Sequence, residues 1–299
     1  VLHHVNQSWM KQLSVLVRRY LTILFTDRKN VLTLALQAIV VGLMLLAIMP
    51  TGHLDPDRDP FAGRSRASMV LLALVLSITW IAASNSIREI VKEAAIYRRE
   101  RLIGLSISAY VASKALVLGA ITVVQAGVLT LIALGRQGDP VPGVVVSATT
   151  IEIMLGVALA GIAALAIGLL ISALVRTAEQ ALSIFPLLLI PQLVFAGPLF
   201  PVSDQAGLRE LSYIFSAKWG FAALASTVDL NRLQGELARV EGTSELSRWQ
   251  HTFGTWSFNT FMLLLIITIG FVGAWYALKR RDQHLTDDSR PLFERLRVG

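Results

Sequence analysis

The sequence predicts an all-α integral membrane protein, six transmembrane helices preceded by an amphipathic helix, and three observations predict it. Of 299 residues, 54% are hydrophobic and 16% charged, with mean hydropathy +0.62. A soluble domain carries about 25% charge, and a chain this size cannot hide so much apolar surface. Residues 30–54, 67–87, 115–135, 180–203 and 252–278 carry no formal charge, and 141–175 is interrupted only by Glu152. Each run reaches the ~20 apolar residues a spanning helix needs. Lys and Arg then crowd alternate connections, which sets both termini on the cytoplasmic side.

Zero cysteines exclude disulfides, thiolate metal sites and cysteine nucleophiles. The net charge of +7 is absorbed by these topology-setting residues, so no nucleic-acid partner is expected. His3, His4, His53, His251 and His284 are scattered over both sides of the predicted membrane, and no metal site follows from them.

Residues 1–29 form a cytoplasmic N-terminal segment. Within it Met10, Leu13, Val17, Tyr20, Leu21 and Leu24 repeat at three- and four-residue spacing, with Lys11, Gln12, Arg18, Arg19 and Thr22 largely opposite. That is an amphipathic helix in the membrane interface. A signal peptide does not fit, because Arg18 and Arg19 interrupt any apolar core. The six spans follow over 30–278, at about 30–50, 67–91, 109–135, 144–175, 180–200 and 256–278, and 279–299 is a cytoplasmic tail. Gln37, Asn85, Gln125 and Gln192 read as interhelical hydrogen-bond partners.

The connection between spans two and three, residues 92–108, is the most informative segment. Charge is dense along a continuous helical pattern: Arg88, Glu89, Lys92, Glu93, Arg98, Arg99, Glu100 and Arg101. Gly104 breaks it, and Ser106 or Ser108 can cap the next helix. The arginines serve topology. Carboxylates among them point further, to a short rigid helix that docks on a soluble cytoplasmic partner.

An E-x-x-x-E at Glu89 and Glu93 followed by YRRER-x-x-GLS-x-x-AY-x-x-SK from Tyr97 to Lys114 resembles the coupling segment of ABC-2-type permeases, the transmembrane domains of ABCG-like (type V) exporters. FAGPLFPV, residues 195–202, resembles the signature at the outer end of their fifth span. Nearest is the C-terminal membrane domain of mycobacterial-type exporters that carry forkhead-associated (FHA) domains ahead of their ATPase. The resemblance implies an ABC-2/ABCG-like bundle with a connecting helix, working as a homodimer. Glu89, Glu93, Arg98, Arg99, Glu100 and Arg101 would then couple to a nucleotide-binding domain. That domain would hold ATP and Mg, since no Gly-Lys dipeptide, and hence no G-x-x-x-x-G-K-[ST] loop, exists here. It is expected upstream, fused and with FHA domains, in keeping with a first residue that is Val rather than Met. The cysteines that bridge the outer loop in animal relatives are missing.

In the fourth span Gly156, Ala160, Ala164, Gly168 and Ser172 recur at every fourth residue. Such a ridge lets a second backbone approach closely where lipid supplies no hydrophobic drive, either as an intramolecular packing face or as a dimer seam. Glu152 is the one carboxylate in a span and a functional candidate on that ground; Ser147, Thr149 and Thr150 place it near the outer interface. Pro186 and Pro191 in the fifth span, with Pro198 and Pro201 after it, free backbone carbonyls that lipid cannot satisfy, so this helix belongs in the interior or beside a cavity. The resemblance carries a translocation path onto Trp80, Ser84, Leu189 and Phe195, and an outer gate onto Leu199 and Phe200.

The extracytoplasmic segment 201–255 contains LRELSYIFSAKWGFAALAST, whose periodicity fits short amphipathic helices at the membrane surface. Trp249 and Trp256 would anchor the entry to span six. The expected function is ATP-driven export of an amphiphile, a cell-envelope lipid or glycolipid, with membrane lipids as surroundings. An ion-coupled secondary transporter resting on Glu152, and a membrane anchor or scaffold without transport, stay open.

Overall fold

A computed structural model describes residues 8–49, 54, 64–137, 141–200, 205–234 and 246–288. Helices occupy every charge-free run, and no strand occurs among the described residues. Helix α1, Trp9–Thr26, buries Leu16, Tyr20 and Leu24, with Leu13, Val17 and Leu21 half-buried beside them. The stripe therefore includes Leu16, outside the expected set, and leaves out Met10, which is exposed. Asp27 ends α1 and starts α2, Arg28–Ile48, by accepting a bond from the Asn30 amide at 3.2 Å. α2 buries only Ala38 and Gly42, so nearly its whole apolar surface faces outward.

Helix α3, Arg64–Ser86, stops five residues before the expected end of span two. Ser86 turns back onto the Ala83 carbonyl at 3.2 Å. The amides of Ile90 and Val91, released from the helix, donate to Ser172 Oγ at 3.0 and 3.1 Å. The expected continuous charged helix is thus two pieces, a 3₁₀ turn Val91–Glu93 and α4, Ala94–Leu102. Gly104, at φ +101°, makes the reversal. Of the two possible caps it is Ser106 that opens α5, Ile107–Leu134.

Helix α6, Thr149–Leu174, is the axis of the molecule. It packs on α3 and α5, and on two helices that follow, α9 (Ser216–Thr227) and α11 (Phe253–Asp288). Its small residues make this possible. A methyl on Gly156 would come within 2.6 Å of Leu224 on α9, and one on Gly168 would collide with Ser86 Oγ on α3. The Gly156–Ser172 ridge is an intramolecular face divided between two partners. On another side Gly270 of α11 lets Ala166 approach, a methyl there lying 2.7 Å from the Ala166 one. In lipid such contacts hold helices together by dispersion.

Helix α7, Ala178–Val194, keeps both prolines inside it but is shorter than expected. Gly197 at φ +110°, next to Pro198, ends the regular path. Beyond it lie α8, Leu208–Ser212, then α9, then α10, Leu230–Gln234. All twelve residues of α9 are buried. The expected surface helix is instead a core element, because Ala217, Gly220, Ala222, Ala223 and Ala225 leave it narrow on every side and Trp219 and Phe221 fill the gaps. Trp249 likewise turns inward, edge-on to Phe221 at 5.4 Å. α11 runs through the expected start of the tail to Asp288. Pro201, the rest of 201–204, the basic and acidic residues of 55–63, and His3, His4 and His53 lie outside the described residues.

Candidate functional site

The charged hairpin from Glu89 to Ser106 is where four helices meet. Lys114, on the first turns of α5, is 2% exposed. Its Nζ lies 2.7 Å from Glu93 Oε1 and 3.6 Å from Glu89 Oε2, and 3.7 Å from the centre of the Tyr20 ring. The Tyr20 hydroxyl donates to Glu89 Oε2 at 2.5 Å, and Tyr110 to Glu93 Oε2 at 3.1 Å. Lys92 adds a second cation to Glu89. Tyr97 packs on Tyr110 with ring centres 4.9 Å apart. Buried Glu89 and half-buried Glu93 thus each have a cation and a hydroxyl, the condition under which burial of charge is tolerable. Burial first, and the Glu89 carboxylate next, push the Tyr20 hydroxyl far above the usual tyrosine range. Burial and then Asp282 do the same to Tyr97.

A second ring of contacts fixes the hairpin from outside. Arg19 of α1 pairs with Glu100. Arg101 Nε meets Asp282 of α11 at 2.6 Å and its guanidinium donates to the Leu105 carbonyl. Gln12 accepts from the Ser106 amide at 2.9 Å, and Trp9 Nε1 donates to Ser108 at 3.0 Å. Arg281 of α11 caps α6 at the carbonyls of Leu174 and Val175.

This geometry divides the sequence-selected set. Glu89, Glu93, Glu100 and Arg101 face their own chain, which corrects the expectation that the carboxylates point to a partner; burial beside Lys114 and Arg19 is what turns them. Arg98 and Arg99 are exposed. With them lie Ile96, Leu102 and Ile103, the last two 84% and 80% exposed. Sequence reasoning missed this apolar edge, although two aliphatic residues beside Gly104 in a charged loop are the signal. It also missed Tyr20, Tyr110 and Lys114 as a buried cluster, because Tyr20 comes from 69 residues before Glu89 and the hairpin that folds Tyr110 and Lys114 back onto Glu93 is not written in local spacing.

On α3 Met69 and Trp80 are exposed and Ser84 is half-buried, and in the turn just past its end Arg88 is exposed too, so one stripe runs along this side. Beside it opens a polar cavity of about 320 Å³ whose wall includes Asn30, Thr33, Gln37, Ser84, Asn85 and Arg88. Behind that wall Asn85 donates to Gln125 at 3.2 Å, and Gln125 donates to the Leu34 carbonyl at 2.7 Å and to Gln37 at 3.4 Å. Leu189 and Phe195 turn away from this stripe. Leu189 packs in the core with Ala82 and Ala83, and Phe195 stacks on Phe215 at 5.1 Å. Leu199 and Phe200 are exposed past the end of α7.

Glu152 is buried, and both its oxygens have donors. Oε2 accepts the amides of Val145 and Val146 at 2.8 and 3.1 Å, and Oε1 the Thr227 hydroxyl at 2.8 Å. Gln192 ties α7 to α9, donating to Ser216 at 3.2 Å and accepting the Ala217 amide at 2.8 Å. Among the described residues no group of three or more His, Cys, Asp or Glu side chains converges on a metal position.

A helical bundle around a small-residue axis, with five helices long and apolar enough to cross a membrane among the described residues and a charged hairpin clamped at one end, is a multi-pass membrane domain. Residues 11–228 match the ABC-2 type transporter family, and the chain belongs to that family. It is 33% identical over 274 residues to the ABC transporter ATP-binding/permease protein Rv1747 of Mycobacterium tuberculosis (strain ATCC 25618 / H37Rv), across 89% of this chain and 31% of that protein. The chain therefore spans about a third of the length of the curated relative it matches.

Proposed function

We propose that this chain is the permease half of an ATP-driven exporter, that two copies form the pathway, and that the cargo is an amphiphile of the cell-envelope lipid or glycolipid class. The charged end and both termini are cytoplasmic, in the plasma membrane. ATP and Mg belong to a nucleotide-binding domain joined upstream, with FHA domains ahead of it; this chain contributes no residue to the phosphates. One observation carries the reading. The hairpin's carboxylates are consumed by its own helices, while Ile96, Arg98, Arg99, Leu102 and Ile103 stay exposed as an apolar edge flanked by arginines. Such an edge suits a groove on a soluble ATPase.

The mechanism follows from that connectivity. Closure of the ATPase pair pushes the apolar edge. Because Glu93–Lys114, Arg19–Glu100 and Arg101–Asp282 lock the hairpin to α5, α1 and α11, the push reaches those helices as one body. The unpartnered α3 stripe with Trp80 and Ser84 faces the second copy and lines the path, its polar cavity receiving a headgroup. Leu199 and Phe200 close the outer end. Coupling means that ATP biases two states of this arrangement. The relative's name, which joins ATP binding to a permease, supports the same division of labour. An ion-coupled mechanism loses its candidate, since Glu152 is committed to two amides and a hydroxyl.

The test is Arg98→Glu with Arg99→Glu in the full-length transporter, reconstituted in vesicles. ATP hydrolysis persists, and ATP-dependent movement of a fluorescent lipid falls on the order of tenfold. Unchanged lipid movement in a folded double variant overturns the reading.

A further inference from the structure

Next to the polar cavity, with Leu24 and Leu34 in the shared wall, lies a second cavity of about 550 Å³, walled by α1, α2 and α5. Leu21 and Phe25, Ala35 and Ile39, Ala120 and Val124 are among its lining residues. Gln125 is the one polar residue on its wall, and its amide is engaged by the Leu34 carbonyl and Gln37. Along α5 the wall runs from Leu116 to Val128, a rise of about 18 Å. That is close to one leaflet of a ~30 Å hydrocarbon core. A slot of that depth, apolar but for Gln125, takes a single acyl chain of one leaflet.

The mouth of the groove is cationic. Arg28 opens α2 three residues before Val31 and seven before Ala35, and Arg18 stands on the Leu21–Phe25 face of α1, three and seven residues earlier. Both are exposed. Asp27 is the carboxylate between them, and it caps α2 at the Asn30 amide. Two arginines against one carboxylate already engaged by its cap, beside an apolar slot one leaflet deep, is the chemistry that selects an anionic lipid headgroup.

We infer that the α1–α2–α5 groove is a binding site for a resident anionic glycerophospholipid of the leaflet on the charged side. One acyl chain lies in the slot, and the phosphate lies against Arg18 and Arg28. The lipid braces α1, the helix that carries Tyr20 and Arg19 to the hairpin. It is distinct from the cargo, which the α3 stripe serves, and it stands or falls independently of the transport reading.

The experiment is photolabelling of the full-length protein in phosphatidylcholine vesicles containing a trace of phosphatidylglycerol with a diazirine on its acyl chain. The same tag on phosphatidylcholine is the comparison. Phosphatidylglycerol is expected to label α1, α2 and α5 peptides in excess over those carrying the exposed α11 residues Phe261, Leu264 and Val272, whereas tagged phosphatidylcholine labels both alike. Arg18→Gln and Arg28→Gln each lower the excess by up to about fivefold. Both sit at exposed positions, so folding is preserved. Ala120→Trp fills the slot and removes the excess. Equal labelling by the two lipids, or an excess that survives the double glutamine variant, overturns the site. An excess that disappears during ATP turnover marks the bound lipid as cargo and overturns the resident assignment.

Discussion

Glu89 and Glu152 are both buried carboxylates, one at each end of the bundle, and they are satisfied by opposite chemistries. Glu89 faces Lys92, Lys114 and the Tyr20 hydroxyl, brought from the hairpin, α5 and α1. Glu152 faces two amides six and seven residues before it and one hydroxyl from α9. The first is a junction between separate elements, held by charge. The second closes a local loop and pins it to a neighbour. An ion pair transmits displacement among several helices, whereas a capped loop keeps one end still. The two ends are built for different duties.

The comparison breaks hardest at Lys114. Lys114→Met leaves buried Glu89 and half-buried Glu93 without their shared cation and should cost about 3 kcal/mol, the low end of the range because Lys92 still faces Glu89, read as a lowered unfolding midpoint in micelles. Adding Glu89→Gln and Glu93→Gln should recover most of that loss. At the other end Glu152→Gln keeps an acceptor but loses charge-assisted bonds, for about 1.5–3 kcal/mol. Lipid movement per folded molecule should be unchanged, and its abolition would return Glu152 to an ion-coupling role. Tyr20→Phe removes one donor to Glu89 and should cost about 1 kcal/mol.

Alkaline pH sharpens the same contrast. The hydroxyls of Tyr20 and Tyr97 are held above the ordinary tyrosine value near 10. The stability they contribute is full below that value and is lost as pH climbs beyond it, because the unfolded chain gives up these protons first. The unfolding midpoint should fall above about pH 10, less steeply in Tyr20→Phe and in Tyr97→Phe. The smallest effect is at the exposed outer pair. Arg209 and Glu210 bond at 2.8 Å in open solvent, and Arg209→Ala should leave the melting curve unchanged.

The spans were legible because a charge-free apolar run of ~20 residues is long enough to cross a bilayer and too apolar for a soluble surface. Their ends were not. Span two stops at Ser86 because Ser172, 82 residues beyond Ile90, takes the amides of Ile90 and Val91. No local pattern encodes that partner. The depth of α9 was hidden for a related reason: a run rich in alanine, glycine and aromatics reads as amphipathic until a small-residue groove such as Gly156–Ala160 is known to receive it. The candidate site was half legible. The YRRER segment announced itself by charge density, but whether a charge looks inward depends on Lys114 and Arg19, which sequence assigns to topology. Glu152 was found for the right reason, rarity within a span, and its hydrogen-bonded reading is the one the geometry favours.

The shortness of α7 has a mechanical consequence. Seventeen residues rise about 26 Å, a few ångströms less than the hydrocarbon they must meet. Bilayers answer such mismatch by thinning locally. Lipid against the exposed Leu182, Leu187 and Ile190 is therefore pinched, and the two leaflets stand closest along that flank.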